Sequence, residues 1–447
     1  MKYYIVMALR FKYILPIAFS LSLSVSGKAY AQFADLNCLS FGDAFKRASA
    51  NAPNVQIATA RIGEAQADYT AAQSLFRPRV TGFGRSGAGD TGIVDSGVSN
   101  QVGARASQRL FDFGDAKYAR LAANSDLEAR RYQADFEANS AIAQTALAIL
   151  KLQQVSAQQA LTIERRDFFS AQSDATNRLL NEGGATITEA ANVASRLAET
   201  DAFNLELQFQ KERAQTEIES NVQSSLPICN HKLNVEKLAP NSLSLFAEGA
   251  AIDMAMANNP NLKALEKRSE NLDALNERQK RNRLPVLEVV GTSSYSSFNG
   301  FDDFDFRNRV GVDISVPFIG GTLKSETQRT AARLNISRAE SNRAEKELEK
   351  QIKITVKRIR SLEAQLPQLK IIEQQLFIQF EAAQKEQLIG TKTLSDIIDT
   401  RLEYEQAGLR RINGEFELER EKLMLLDDTG ILQKIYATDS ANYNFPQ

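Results

Sequence analysis

The sequence is poor in the residues that most enzymes use. It has one histidine, His231, two cysteines, Cys38 and Cys229, and no tryptophan. A transition-metal centre or a catalytic triad is hard to assemble from so few ligands and bases. Charge of one sign is also missing, because 54 Lys and Arg stand against 55 Asp and Glu. That balance argues against a nucleic-acid binder or any other general partner of polyanions. Proline is scarce: there are 10, and none lies between Pro78 and Pro227. So long a stretch without proline points to long helices. After residue 31 no run of about 18 apolar residues occurs, which excludes a membrane-spanning helix there. A membrane form would therefore have to be a closed β-barrel, since open sheet edges are not tolerated in lipid.

What is present sets the class. Hydrophobic residues are 43% of 447, too many for a disordered chain. Residues 1–31 read as an export signal: Lys2, Arg10 and Lys12, an apolar run from Tyr13 to Val25, then Ala29-Tyr30-Ala31 before a cut at Gln32. The apolar run is short for an uncleaved anchor. Asp35-Leu36-Asn37 lacks the small residues that precede a lipidated cysteine.

The remainder is a tandem duplication with an offset of 207 residues. Asn51-Ala52-Pro53-Asn54 returns as Asn258-Asn259-Pro260-Asn261, Pro78 as Pro285, Gly84 as Gly291, Gly114 as Gly321, Gly183 as Gly390 and Thr186 as Thr393. Two repeats follow, 32–244 and 245–447. In each the order is helix, strand pair, long helix, turn, helix. Residues 44–77 and 251–283 are rich in Ala, Glu, Arg and Gln and read as helices, stopped by Pro78 and Pro285. Strand pairs are expected over 79–111 and 286–319, where apolar and polar residues alternate. Val310, Val312, Ile314, Val316 and Phe318 form one apolar row, and Val102, Ala104, Ala106 and Leu110 another. Long helices are expected over 115–182 and 322–389, and shorter ones over 187–225 and 393–428. In the second long helix a seam from Ile352 to Ala383 keeps the 3–4 spacing of a coiled coil, and Pro367 should kink it. The two shorter helices of a repeat add up to nearly the length of the long one. End-to-end stacking alongside it follows.

The run Gly390-Thr391-Lys392-Thr393-Leu394-Ser395-Asp396-Ile397-Ile398-Asp399 resembles the periplasmic-tip motif of the TolC family of outer-membrane efflux and secretion ducts. The paired Asn-Pro openings, the prolines before the strands and Pro317-Phe318-Ile319-Gly320-Gly321 are similar to that family too. The resemblance implies a mixed α/β membrane protein in the outer membrane. Three copies, each giving four strands, would close a 12-stranded β-barrel, continued by a long periplasmic α-helical coiled-coil barrel. It also implies a passive duct with no cofactor, fed by an inner-membrane transporter through a periplasmic adaptor. Asp396 and Asp399, at i and i+3, would line the aperture. Lys392 would meet Glu189 or Thr188 across the tip, or stand as an exposed lysine. Gly183, Gly184, Gly390, Thr391 and Thr393 would shape the tip turns that the adaptor touches, and Pro78 and Pro285 the helix-to-strand hinges. Two departures are Glu189 where the family has an aspartate, and Pro367.

Two other readings use parts of the pattern. A periplasmic adaptor would have a single helical hairpin, and a structural coiled-coil protein would not need the strands. Cys38 and Cys229 are expected to be bonded, because export places both in an oxidising compartment and stacking brings both near the middle of the helices. The alternative is two separate thiols in a packing layer. His231, between Pro227 and Pro240, is read as a surface residue.

Overall fold

A computed structural model describes residues 38–89, 97–229, 232–238, 247–298, 304–316 and 321–432. The export signal, His231 and the Pro317-Phe318-Ile319-Gly320 run lie outside the described residues. The first repeat holds α1 (Phe41–Asn51), α2 (Pro53–Gln73), β1 (Arg79–Gly89), β2 (Gly97–Phe111), α3 (Asp115–Asn181) and α4 (Ile187–Val222). A single turn, α5 (Val235–Leu238), precedes the second: α6 (Glu248–Asn258), α7 (Pro260–Arg281), β3 (Val286–Phe298), β4 (Phe304–Ser315), α8 (Gly321–Leu388) and α9 (Leu394–Asp428).

The segments expected as single helices over 44–77 and 251–283 are each two. Ala52 and Asn259 are non-helical, and Pro53 and Pro260 open the next helix. Proline at that position loses nothing, since its missing N–H would have no partner inside the helix. Asn259 caps α7, its Oδ1 accepting from the N–H groups of Asn261 at 2.9 Å and Leu262 at 3.2 Å. Before Pro78 the backbone turns extended at Arg77 (φ −79°, ψ 147°), and β1 begins at the next residue after the proline. Pro285 likewise stands immediately before β3.

The four strands form one antiparallel sheet in the order β1-β2-β3-β4. Val289 pairs with Val312, Leu287 with Ile314 and Tyr295 with Phe306, so one face is mainly apolar across the second strand pair, interrupted by Ser293 opposite Asn308. That face is bare in a single chain: Val310 is 82% exposed, Val80 70% and Ile314 67%. The opposite face carries Arg105, Arg309, Asp313 and Glu288, with Arg105 and Asp313 3.6 Å apart. Leu110 does not join the apolar row as expected. A bulge between Arg109 and Phe111 makes Leu110 the extra residue and brings Phe111 opposite Leu287.

Each long helix, 67 and 68 residues, extends about 100 Å. α3 packs on α1 and α2 over one part and on α4 over the other, and α8 does the same with α6, α7 and α9. Helix α8 stays helical through Pro367. Its seam is buried at Ile352, Ile359, Leu362 and Phe380. Each such side chain contributes about 1.5–3 kcal/mol. Between Leu366 and Leu376 the seam is only half-buried, and there α9 approaches closely: a Cβ on Gly414 would meet Leu366 and Leu369 at 3.2 Å.

The largest core joins Phe45 of α1, Ile142 and Ile149 of α3, Val222 of α4 and Leu423 and Leu426 of α9. Cys38 and Cys229 are bonded at its edge, with Cα atoms 4.9 Å apart. A parallel bridge lies beside them: Leu39 N–H donates to Pro227 O at 2.8 Å and Cys229 N–H to Leu39 O at 2.9 Å.

Candidate functional site

The two helical hairpins end in the same turn. Gly183 (φ 76°) and Gly390 (φ 78°) sit in the left-handed region, where glycine has no Cβ penalty. Gly183 N–H donates to Leu180 O at 3.1 Å and Gly184 N–H to Leu179 O at 2.7 Å. In the second repeat Gly390 N–H donates to Gln387 O at 2.9 Å and Thr391 N–H to Glu386 O at 3.0 Å. Both are Schellman closures, which satisfy the last carbonyls of α3 and α8.

The next helix is then started by a capping box. Thr186 Oγ1 accepts from Glu189 N–H at 3.2 Å, while Glu189 Oε2 accepts from Thr186 N–H at 2.8 Å. Thr393 and Asp396 repeat both bonds at 3.2 and 2.8 Å. These bonds place Glu189 and Asp396 in structural roles that the aperture reading did not include. The signal was legible as Thr-x-x-Glu and Thr-x-x-Asp ahead of a helix. Thr186 is the residue that the sequence reading left unassigned at this site. Hydrogen bonds from the Thr186 backbone and hydroxyl hold the Glu189 carboxyl below its ordinary range. The Thr393 backbone and hydroxyl do the same for Asp396, helped by Lys392.

Asp399 is exposed one turn beyond Asp396, and between them Ile397 and Ile398 turn inward. Ile397 packs on Phe380 and Ala383 of α8, and Ile398 on Phe169 and Val193 of α3 and α4. The start of α9 is thus wedged among three other helices. The expected link from Lys392 to Glu189 or Thr188 is not formed among the described residues. Glu189 is held by Thr186, and Lys392, Thr188 and Thr391 are exposed. Thr391 Oγ1 donates back to Glu386 O at 2.9 Å.

One turn further along α9 lies a charged cluster that sequence reasoning missed. Arg401 is 7% exposed and Glu405 2%. Arg401 Nε donates to Glu405 Oε1 at 2.7 Å, and Arg165 Nε of α3 is 3.5 Å from Glu405 Oε2 and donates to Thr200 Oγ1 of α4 at 2.7 Å. The Arg401 guanidinium lies 5.5 Å from the Phe168 ring centre and 5.2 Å from that of Phe380. Burial pushes the Glu405 carboxyl up, against the pull of Arg401 and Arg165. The cluster ties both hairpins together above the tips. On the sequence, Arg401 and Glu405 are an ordinary i,i+4 pair.

The model described as outer membrane efflux protein matches residues 44–221, nearly all of the first repeat's helices and strands. No curated protein matches the sequence. Among solved structures, the CmeC outer membrane channel of Campylobacter jejuni is 14% identical, with 91% of this chain and 90% of that one covered at a TM-score of 0.74. The outer membrane protein VceC of Vibrio cholerae is 16% identical, covering 87% and 96%, at 0.71. The open state of the MtrE outer membrane channel of Neisseria gonorrhoeae is 13% identical, covering 87% and 88%, at 0.69. At these identities the agreement is one of fold. Residues 44–221 are thus similar to the outer membrane efflux protein family, and the described chain shares the fold of these outer-membrane channels.

Proposed function

We propose that three copies of this chain close one barrel in the outer membrane and join their helices into a passive duct across the periplasm. The observation that carries this is the sheet itself. Its four strands leave β1 and β4 as open edges, and its apolar face is bare in one chain. Four strands cannot close alone, and an open apolar sheet has no place in water or in lipid. Closure through three copies answers both. The tips, with Gly183, Gly184, Gly390, Thr391 and Thr393 in stiff turns, then face inward as the contact for a periplasmic adaptor and an inner-membrane transporter.

Three copies of Asp396 and Asp399 would ring the aperture with carboxylates, which attract cations. Asp396 does this while capping α9, and Asp399 is exposed for the purpose. The test is conductance of detergent-extracted protein in a planar bilayer. Stable steps are expected, blocked by divalent cations, with the block relieved by Asp399→Asn. Protein that inserts without conducting would overturn the duct. Conduction with an unchanged block in Asp399→Asn would return that residue to an ordinary surface acid. Crosslinking from the tip turns would identify the transporter and adaptor.

A further inference from the structure

Along α7 a groove of about 520 Å³ opens between α3 and α8. That volume suits a small organic molecule. Leu265 and Leu272 of α7, with Ala129 of α3 and Ile336 of α8, supply apolar walls. The charged groups are uneven. Arg130 is engaged with Asp126, its Nε 3.7 Å from Oδ2. Arg268 of α7 and Arg333 of α8 also line the groove and have no ion-pair partner among the described residues. Glu340 is the remaining acid, two helical turns, about 10 Å, along α8 from Arg333.

A second observation points to a ligand. Ser337 is 3% exposed, lines the groove, and its Oγ has no hydrogen-bond partner. A buried hydroxyl left unpaired calls for an acceptor. The duplication shows how the space arises. Asp126 and Arg130 of α3 hold the repeat positions that Arg333 and Ser337 hold in α8, 207 residues later. The small serine therefore stands where the other long helix has an arginine.

We propose that this groove binds an organic anion with an apolar body. Its acid group would lie between Arg268 and Arg333 and accept from Ser337 Oγ, with its apolar part against Leu265, Leu272 and Ile336. Guanidinium groups suit a carboxylate or sulfonate because their paired donors match its oxygens. The proposal rests on the groove and not on the duct reading.

Its test uses the full chain in lipid nanodiscs, with naphthalene-1-sulfonate as the probe in equilibrium dialysis and empty nanodiscs subtracted. Saturable binding is expected. Arg268→Gln with Arg333→Gln, two exposed sites that leave helicity intact, should weaken it about tenfold or more. Ser337→Leu should weaken it too, by filling the groove. The uncharged naphthalene-1-sulfonamide should bind at least about tenfold less. Uptake that does not saturate, an unchanged affinity in the arginine variant, or equal binding of the sulfonamide would overturn the site. Bilayer conductance of the same preparation reports on the duct separately.

Discussion

At their tips the two repeats use the same bonds: a left-handed glycine, a Schellman closure, then a threonine-carboxylate box. At the opposite end they differ. In the first repeat Arg109 reaches both Asp112, at 3.2 Å, and Asp115, at 3.0 Å, while Arg278 of the other repeat joins Asp115 at 2.9 Å. The second repeat has Val316 and Thr322 at the positions of Arg109 and Asp115, so it cannot build that cluster. The strand pairs differ as well. Val310, Val312 and Ile314 make the apolar face of β4, whereas Gly82, Gly84, Ala104 and Ala106 lie on that face of β1 and β2. The cystine also belongs to one repeat, because Leu245 and Tyr436 occupy the equivalent places in the other. The comparison teaches that backbone demands survive a duplication. A left-handed residue or a helix start admits few side chains, while a packed or charged contact can be replaced by another.

The largest expected effect comes from the cystine. It closes a loop of 191 residues, for which chain entropy sets an upper value of about 5 kcal/mol. Replacing Cys38 and Cys229 by serine should lower hydrogen-exchange protection around Leu39, Ile149 and Val222 and spare Ile352. Equal loss in both repeats would break the comparison. Alkylation of unreduced, denatured protein, followed by weighing, should find no free thiol.

Next come the strand faces. Val312→Arg should destabilise the assembled protein by about 2–4 kcal/mol if that position meets mid-bilayer lipid. Ser315→Arg, on the opposite face, should be tolerated. Heat resistance of the extracted oligomer measures both, and equal damage would refute the register. Ala104→Arg, on the same face in the first repeat, should resemble Val312→Arg.

Loss of a cap is smaller. Thr186→Ala and Thr393→Ala should each cost about 1 kcal/mol, read as faster exchange in the first turns of α4 and α9. Similar effects at both tips would confirm that the boxes are equivalent.

The pH response should separate the tips from the far end of α9. Glu189 and Asp396 have folded pKa values below their ordinary ones, so their contribution is present above pH about 4 and is lost on further acidification. At the far end the sign reverses. Burial raises Asp427 to about 6, against a bond from Asn139, and raises Asp428 to about 7, aided by Asp427 and Glu421. Their protonated forms suit the fold, so stability there should fall as pH rises from about 4 to about 7. Ser220 and Asn221 hold the equivalent places in α4, so only α9 should respond. Exchange at Leu426 and Val222 across that range measures the difference.

Much of the architecture could be read before any coordinates. The prolines and glycines that mark element boundaries sit at a constant offset, and the 3–4 and 2 spacings are long. The misses have physical causes. Pro53 and Pro260 divide helices because proline starts a helix as readily as it stops one. The bulge at Leu110 depends on what lies across the strand, which alternation within β2 does not reveal. Asp396 was legible as an acid near a tip, but its bond to Thr393 was overlooked, although the spacing encodes it. Arg401, Glu405 and Arg165 meet only because α3 and α9 pack together. No local pattern distinguishes them from surface pairs.

The central claim is that one chain supplies a third of a closed barrel, and the mass of the intact particle tests it most directly. Native mass spectrometry of protein extracted from outer membranes should give three chains. One chain or two would contradict the account, because four or eight strands would then have to close the barrel.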